Sequence, residues 1–217
     1  EANAPFGDSV KGGQNLLGLL QGARAGAPAP EHFGSSVAFG RLTGGKAGTA
    51  RGGGSALLSS ERMHNDGRDN VPENFRYAGD NGAFTLEALI KLDTAPSAMG
   101  DPYGGIITMD GEAENRVFNF RIERGGFLAF VPLNAQGLAR GGGLAAIPTT
   151  GPHAVNTKDW FHVAAAYDGN EGAAGNLTLY WTRFEGTTDA AHVIGRGTLF
   201  EDLSRLSDFA LGNEARG

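Results

Sequence analysis

The chain has 217 residues, 40% of them hydrophobic, a formal charge of −6 and no cysteine. That length and apolar content suit one larger domain with a real core, and the acidic balance argues against a nucleic-acid binder, which carries a basic face. Disulfides and thiolate metal sites are excluded, and no apolar run reaches the ~18 residues that a membrane span needs.

Glycine is the outlier in composition, with 36 residues, more than twice the usual share and without a Gly-X-Y period. Glycine clusters between apolar runs predict many turns and an all-β fold. The chain opens at Glu1 with no initiator Met and no signal peptide, as expected of a processed protein or a fragment. Residues 1–34 read as an irregular leader, with "LLGLLQGA" (16–23) readable as a helical turn or a strand. "QGARAGAPAP" (21–30) and "GRLTGGKAGTARGGGS" (40–55) read as loop, while "SSVAFG" (35–40) and "SALLSS" (55–60) are short strand candidates. Residues 61–75 are polar and turn-rich.

From residue 82 the patterning sharpens. "AFTLEALIKLD" (83–93) alternates, with Phe84, Leu86, Ala88, Ile90 and Leu92 on one face. Thr85, Glu87, Lys91 and Asp93 fall on the other, with Leu89 the exception. Period two with one wet face predicts an antiparallel strand. "GGIITMD" (104–110) follows, and "NRVFNFRIE" (115–123) sets Phe118, Phe120 and Ile122 on one face. "RGG" (124–126) then turns the chain into "FLAFVP" (127–132), a hairpin signature. "GLAAIP" (143–148) is a short strand, and "DWFHVAAAYD" (159–168) is apolar on both faces and so central in its sheet. "NLTLYWTRF" (176–184), "HVIGRGTLF" (192–200) and "DFALG" (208–212) complete about ten strands. With no internal repeat and no long helix, two packed antiparallel sheets are the natural arrangement.

The segment 159–169 holds a Trp, a His, a Tyr and two Asp. As a strand, Trp160, His162, Ala164 and Ala166 share one face, and Phe161, Val163, Ala165 and Tyr167 the other. Catalysis by His162 would need an orienting acid and a nucleophile in reach. The neighbouring sequence supplies neither, so His162 reads as a structural residue of a sheet.

"WFHVAAAYDG" followed by "NLTLY" resembles the signature strand pair of laminin G-like, concanavalin A-like jelly-roll domains. "FTLEALIKLD" is similar to that family's early strand, "GGFLAFVP" to its Gly-Gly hairpin, and "SSVAFG" to the strand that opens its core. The resemblance covers roughly residues 35–212 of a single domain spanning 1–217. It implies an antiparallel two-sheet jelly-roll sandwich. "WTRFEG" (181–186) stands where the family has a Val-Asp-Gly turn, and the chain stops at "FALGNEARG" before the family's closing strand. Two expectations stand beside each other: a clipped domain lacking the family's first and last strands, or a divergent, complete one. The resemblance also implies a non-catalytic recognition or adhesion module of a larger secreted or cell-surface bacterial protein. Its ligand would be a glycan or a protein, with no nucleic acid and no membrane insertion.

Some members of that family hold Ca²⁺ at a loop rim, and hard cations want several converging oxygens. The acidic candidates are Asp110, Glu112 and Glu114 in one loop, Asp66 and Asp69 in a second, and Asp80 in a third. None has EF-hand spacing, and a solvated acidic loop is the simpler reading of each. Glycan binding needs an exposed aromatic ring, for which Tyr103 in "GDPYGG" and Trp181 are the candidates beside their alternative role in packing. "GRLTGGKA" (40–47) fits the phosphate-loop pattern except at Ala47, where a hydroxyl must hold Mg²⁺, and no helix follows it. "NLT" (176–178) is a formal glycosylation sequon at the start of a strand, and the five His (32, 64, 153, 162, 192) lack metal-ligand spacing.

Related folds host glycoside hydrolases, whose paired carboxylates flank the scissile bond, and polysaccharide lyases, which use Tyr, His and Arg. No E-x-D-x-x-E strand occurs here, and Arg121 and His162 are the residues that a lyase-like site would draw on. An enzyme of this kind and a structural spacer are the alternatives to recognition, and no catalytic residue is assigned.

Overall fold

In the computed structural model the structure describes residues 18–20, 23–27, 29–30, 36–39, 55–58, 82–110, 116–133, 141–186, 190–200, 203 and 209–212. Among these the fold is all-β. The early strands are β1 (Gly18–Leu20), β2 (Ala23–Ala27), β3 (Ser36–Phe39) and β4 (Ser55–Leu58). Then come β5 (Phe84–Ile90), β6 (Tyr103–Asp110), β7 (Arg116–Glu123), β8 (Phe127–Pro132) and β9 (Gly141–Ala146). The last four are β10 (Phe161–Tyr167), β11 (Leu177–Arg183), β12 (Val193–Leu199) and β13 (Phe209–Leu211). A single 3₁₀ turn at Pro96–Ala98 is the one helical element among the described residues, and no helix there is long and apolar enough to cross a membrane.

The strands join in one antiparallel run, β1-β4-β13-β6-β7-β8-β9-β12-β11-β10-β5, with β2 and β3 as a separate pair. The run curls so that its terminal strand β5 comes to face the middle of the run. Phe84 on the terminal strand β5 meets Phe130 of β8 with ring centroids 5.7 Å apart. The core between the facing halves takes Phe118, Phe120, Leu128 and Phe130 from β7 and β8, and Phe161, Leu177, Leu179 and Trp181 from β10 and β11. The result is a sandwich-like, nearly closed sheet.

Local pattern explains most of this. On β10, Phe161, Val163, Ala165 and Tyr167 are all buried, and the strand lies between β11 and β5 as its apolar character requires. On β5, Leu86 is buried while Thr85 and Glu87 are exposed, as alternation predicts. The turn at 124–126 closes the β7–β8 hairpin through Gly126, which sits at φ 82° and donates to the Glu123 carbonyl.

Two differences from the sequence reading have physical causes. Residues 18–20 and 23–27, within the expected irregular leader, are strands, and β1 completes backbone pairing with β4. β9 begins at Gly141 rather than at 143, because Gly142 pairs with Thr198 of β12 while Gly143 pairs with Phe130 of β8. β9 is thus the corner that links the halves. Gly142 adopts φ 96°, a conformation that L side chains rarely take, and a Cβ on Gly197 would lie 2.6 Å from the Gly143 Cα. Bare backbone is what lets β12 approach β9.

One turn is pinned by a single amide. Asn176 is buried, donates from Nδ2 to the carbonyls of Asn170 (2.8 Å) and Leu199 (3.0 Å), and accepts from the Leu199 N–H (2.8 Å). Asn176→Ala strands these backbone groups and is expected to cost about 2 kcal/mol, read as a lower urea midpoint. An unchanged midpoint would show that water replaces the amide.

Candidate functional site

The outward face of β6–β9 holds the one site with convergent chemistry among the described residues. Because Phe118, Phe120 and Ile122 point into the core, alternation turns Arg121 and Glu123 of β7 outward. Register sets Tyr103 of β6 opposite Glu123, and Gly105 opposite Arg121. With no side chain on Gly105, the guanidinium of Arg121 has room to lie over the Tyr103 ring, its Cζ 3.8 Å from the centroid. The same guanidinium donates from Nη2 (2.8 Å) and Nε (3.2 Å) to Oε1 of Glu123. Tyr103 remains 52% exposed. One ring face is thus held by a cation, and the ring stands open to solvent beside it.

An open cleft of about 310 Å³ adjoins this pair, lined by Arg121, Glu123, Val131, Leu144 and the glycines at 141–143. Its size is at the lower bound of small-ligand sites. Its lining charges, one guanidinium and one carboxylate, are already paired with each other. The missing side chains at 141–143 leave polar backbone along one wall. Such an arrangement can stack on an apolar ligand face and hydrogen-bond to hydroxyls.

The other sequence candidates fall elsewhere. Trp181 is fully buried, stacked on Phe161 with centroids 4.8 Å apart, and its Nε1 donates to the His153 carbonyl at 3.2 Å. It offers no ring face to a ligand and is corrected to a core residue. Asp110 is also fully buried, and both its oxygens accept from Arg116, from Nε at 2.6 Å and Nη2 at 2.8 Å. Both Asp110 oxygens are thus engaged by the Arg116 guanidinium, which makes Asp110 a buried ion-pair partner of β7. Glu112, Glu114, Asp66, Asp69 and Asp80 lie outside the described residues, as does 40–47. Among the described residues no group of three or more His, Asp or Glu could hold a metal ion. The Asn176 sequon amide is consumed in the turn described above.

Arg121 and His162 do not meet. His162 pairs with Glu87 at 3.0 Å on the outward face of β10, in the other half of the fold. Two groupings escaped sequence reasoning. The first is the Arg121–Glu123 pair, whose signal was present in the alternation of "NFRIE". The second is the stack of His153 on His192, with centroids 4.6 Å apart, which joins distant segments and left no local signal. Beside that stack, the Arg183 N–H donates to His153 Nδ1. The hydrogen bond and charge of Glu185 raise the pKa of the exposed Arg183 side chain above its ordinary value.

Against protein-family models, curated proteins and solved structures, the chain finds no match.

Proposed function

We propose that the chain is a non-catalytic recognition module of the laminin G-like, concanavalin A-like jelly-roll kind, and that it binds glycan on the outward face of β6–β9. The proposal includes a two-sheet arrangement of the family type and a place in a larger secreted or surface bacterial protein. The observation that carries it is Tyr103, an exposed ring backed by Arg121 at the edge of a cleft. Sugars present apolar C–H faces and a rim of hydroxyls, which match an aromatic platform next to a guanidinium, a carboxylate and glycine backbone. Two further observations favour recognition over chemistry. Glu123 is the only carboxylate among the described residues lining the cleft, whereas glycoside hydrolysis uses two. Arg121 and His162 have separate partners in separate halves, so they form no lyase-like cluster.

The test is a glycan-array screen of folded protein, run with Ca²⁺ and again with EDTA, followed by Tyr103→Ala against any glycan found. Tyr103→Ala is expected to weaken binding at least about tenfold, roughly 1.4 kcal/mol, while stability falls by less than about 1 kcal/mol. No binding in either buffer would end the glycan reading and leave protein adhesion or a spacer role. Binding lost only in EDTA would add a calcium requirement.

A further inference from the structure

Tyr103, Leu144, Val193 and Phe200 are the large hydrophobic side chains that stand exposed among the described residues. Leu144 lines the cleft, and Tyr103 and Phe200 each stand beside a residue that lines it, Arg121 and Gly141. Leu144, 57% exposed, lines it from β9. Phe200, also 57% exposed, lies against Gly141 at the far end, where a methyl on Gly141 would come within 2.6 Å of its Cδ2. Gly141 is therefore both a wall of the cleft and the seat of the Phe200 ring.

The register gives the distance between the two rings. Tyr103, Glu123, Phe127 and Ala146 lie in one row across β6 to β9. Gly141 lies five residues from Ala146 along β9. Three inter-strand steps and five residues along the strand place the two platforms roughly 20 Å apart. That is the reach of several linked sugar units, far beyond a monosaccharide. Between the platforms the lining charges cancel in the Arg121–Glu123 pair, so nothing in the cleft calls for a charged ligand. The chain's net charge of −6 disfavours polyanions besides.

We infer that the cleft is an extended subsite array for the interior of an uncharged, linear oligosaccharide, with Tyr103 and Phe200 as stacking platforms at its two ends and Leu144 between them. The inference rests on the glycan reading above. A chain long enough to reach both rings gains the second contact, whereas a short one gains only the first.

The test is titration calorimetry of the full chain with neutral gluco-, xylo- and manno-oligosaccharide ladders, from disaccharide to hexasaccharide, and with anionic uronic-acid oligosaccharides. Affinity is expected to climb with length in a neutral ladder. Phe200→Ala should lower hexasaccharide affinity about tenfold, roughly 1.4 kcal/mol, and flatten the rise of affinity with length. Phe200→Tyr keeps a ring there and should preserve the length dependence, which separates loss of stacking from loss of fold. Equal affinity for short and long chains, with Tyr103→Ala still damaging and Phe200→Ala silent, would overturn the extended array and leave glycan recognition standing. Preference for the uronic-acid ladder would overturn the uncharged class. Failure of every glycan to bind folded wild-type protein would remove both the array and the reading beneath it.

Discussion

Trp181→Ala is expected to destabilise the chain by about 3–5 kcal/mol, the range for emptying a large, fully buried aromatic site. The ring is completely buried against Phe161, so its removal leaves a cavity at the heart of the β10–β11 layer. It also removes the indole N–H from the His153 carbonyl, at the point where segment 151–156 is tied to β11. Trp181→Phe refills most of the volume but not the hydrogen bond, so it should lose markedly less. Urea unfolding of both variants measures this. A Trp181→Ala protein with a near wild-type midpoint would mean that the two halves of the sheet are not packed together as described.

Arg116→Met should cost a similar amount, about 3–5 kcal/mol, for a different reason. Asp110 has no exposure, and Arg116 supplies hydrogen bonds to both of its carboxylate oxygens. Removing the guanidinium leaves a buried anion with its main counter-charge gone. The physics predicts a non-additive result. Asp110→Leu combined with Arg116→Met removes both charges and should recover much of the loss, because an apolar pair in place of a buried ion pair is often close to neutral. A double variant as unstable as the sum of the single losses would refute this account of the pair.

Asp110 also illustrates how far the sequence could be read. The sequence groups it with Glu112 and Glu114, its neighbours along the chain. Its structural neighbour is set by the β6–β7 register, which places Arg116 directly across from Asp110 next to a shift in pairing after Met109. Register across a turn is not written in either strand alone. The two aromatic candidates divide in the same way. Both lie at strand positions in Gly- or polar-flanked segments, yet Trp181 shares its face with the buried Leu177 and Leu179, while Tyr103 sits where β6 emerges at the outward face.

The sequence by itself determined the all-β character, the approximate positions of the strands β5 to β8 and β10 to β13, and which side chains on β5 and β7 face the core. These follow from a period of two between Gly-rich turns, and that period is a property of consecutive residues. Only the tertiary structure decided that β9 is the corner between the halves, because that depends on Gly142 and Gly197 meeting from segments far apart in the chain. It alone decided that Trp181 is core and Tyr103 is surface, that Arg116 is the partner of Asp110, and that Tyr103 and Phe200 stand beside Arg121 and Gly141, two residues of one cleft. Exposure, ion pairing and cleft shape are relations between distant segments, and a single chain of residues records them only after it has folded.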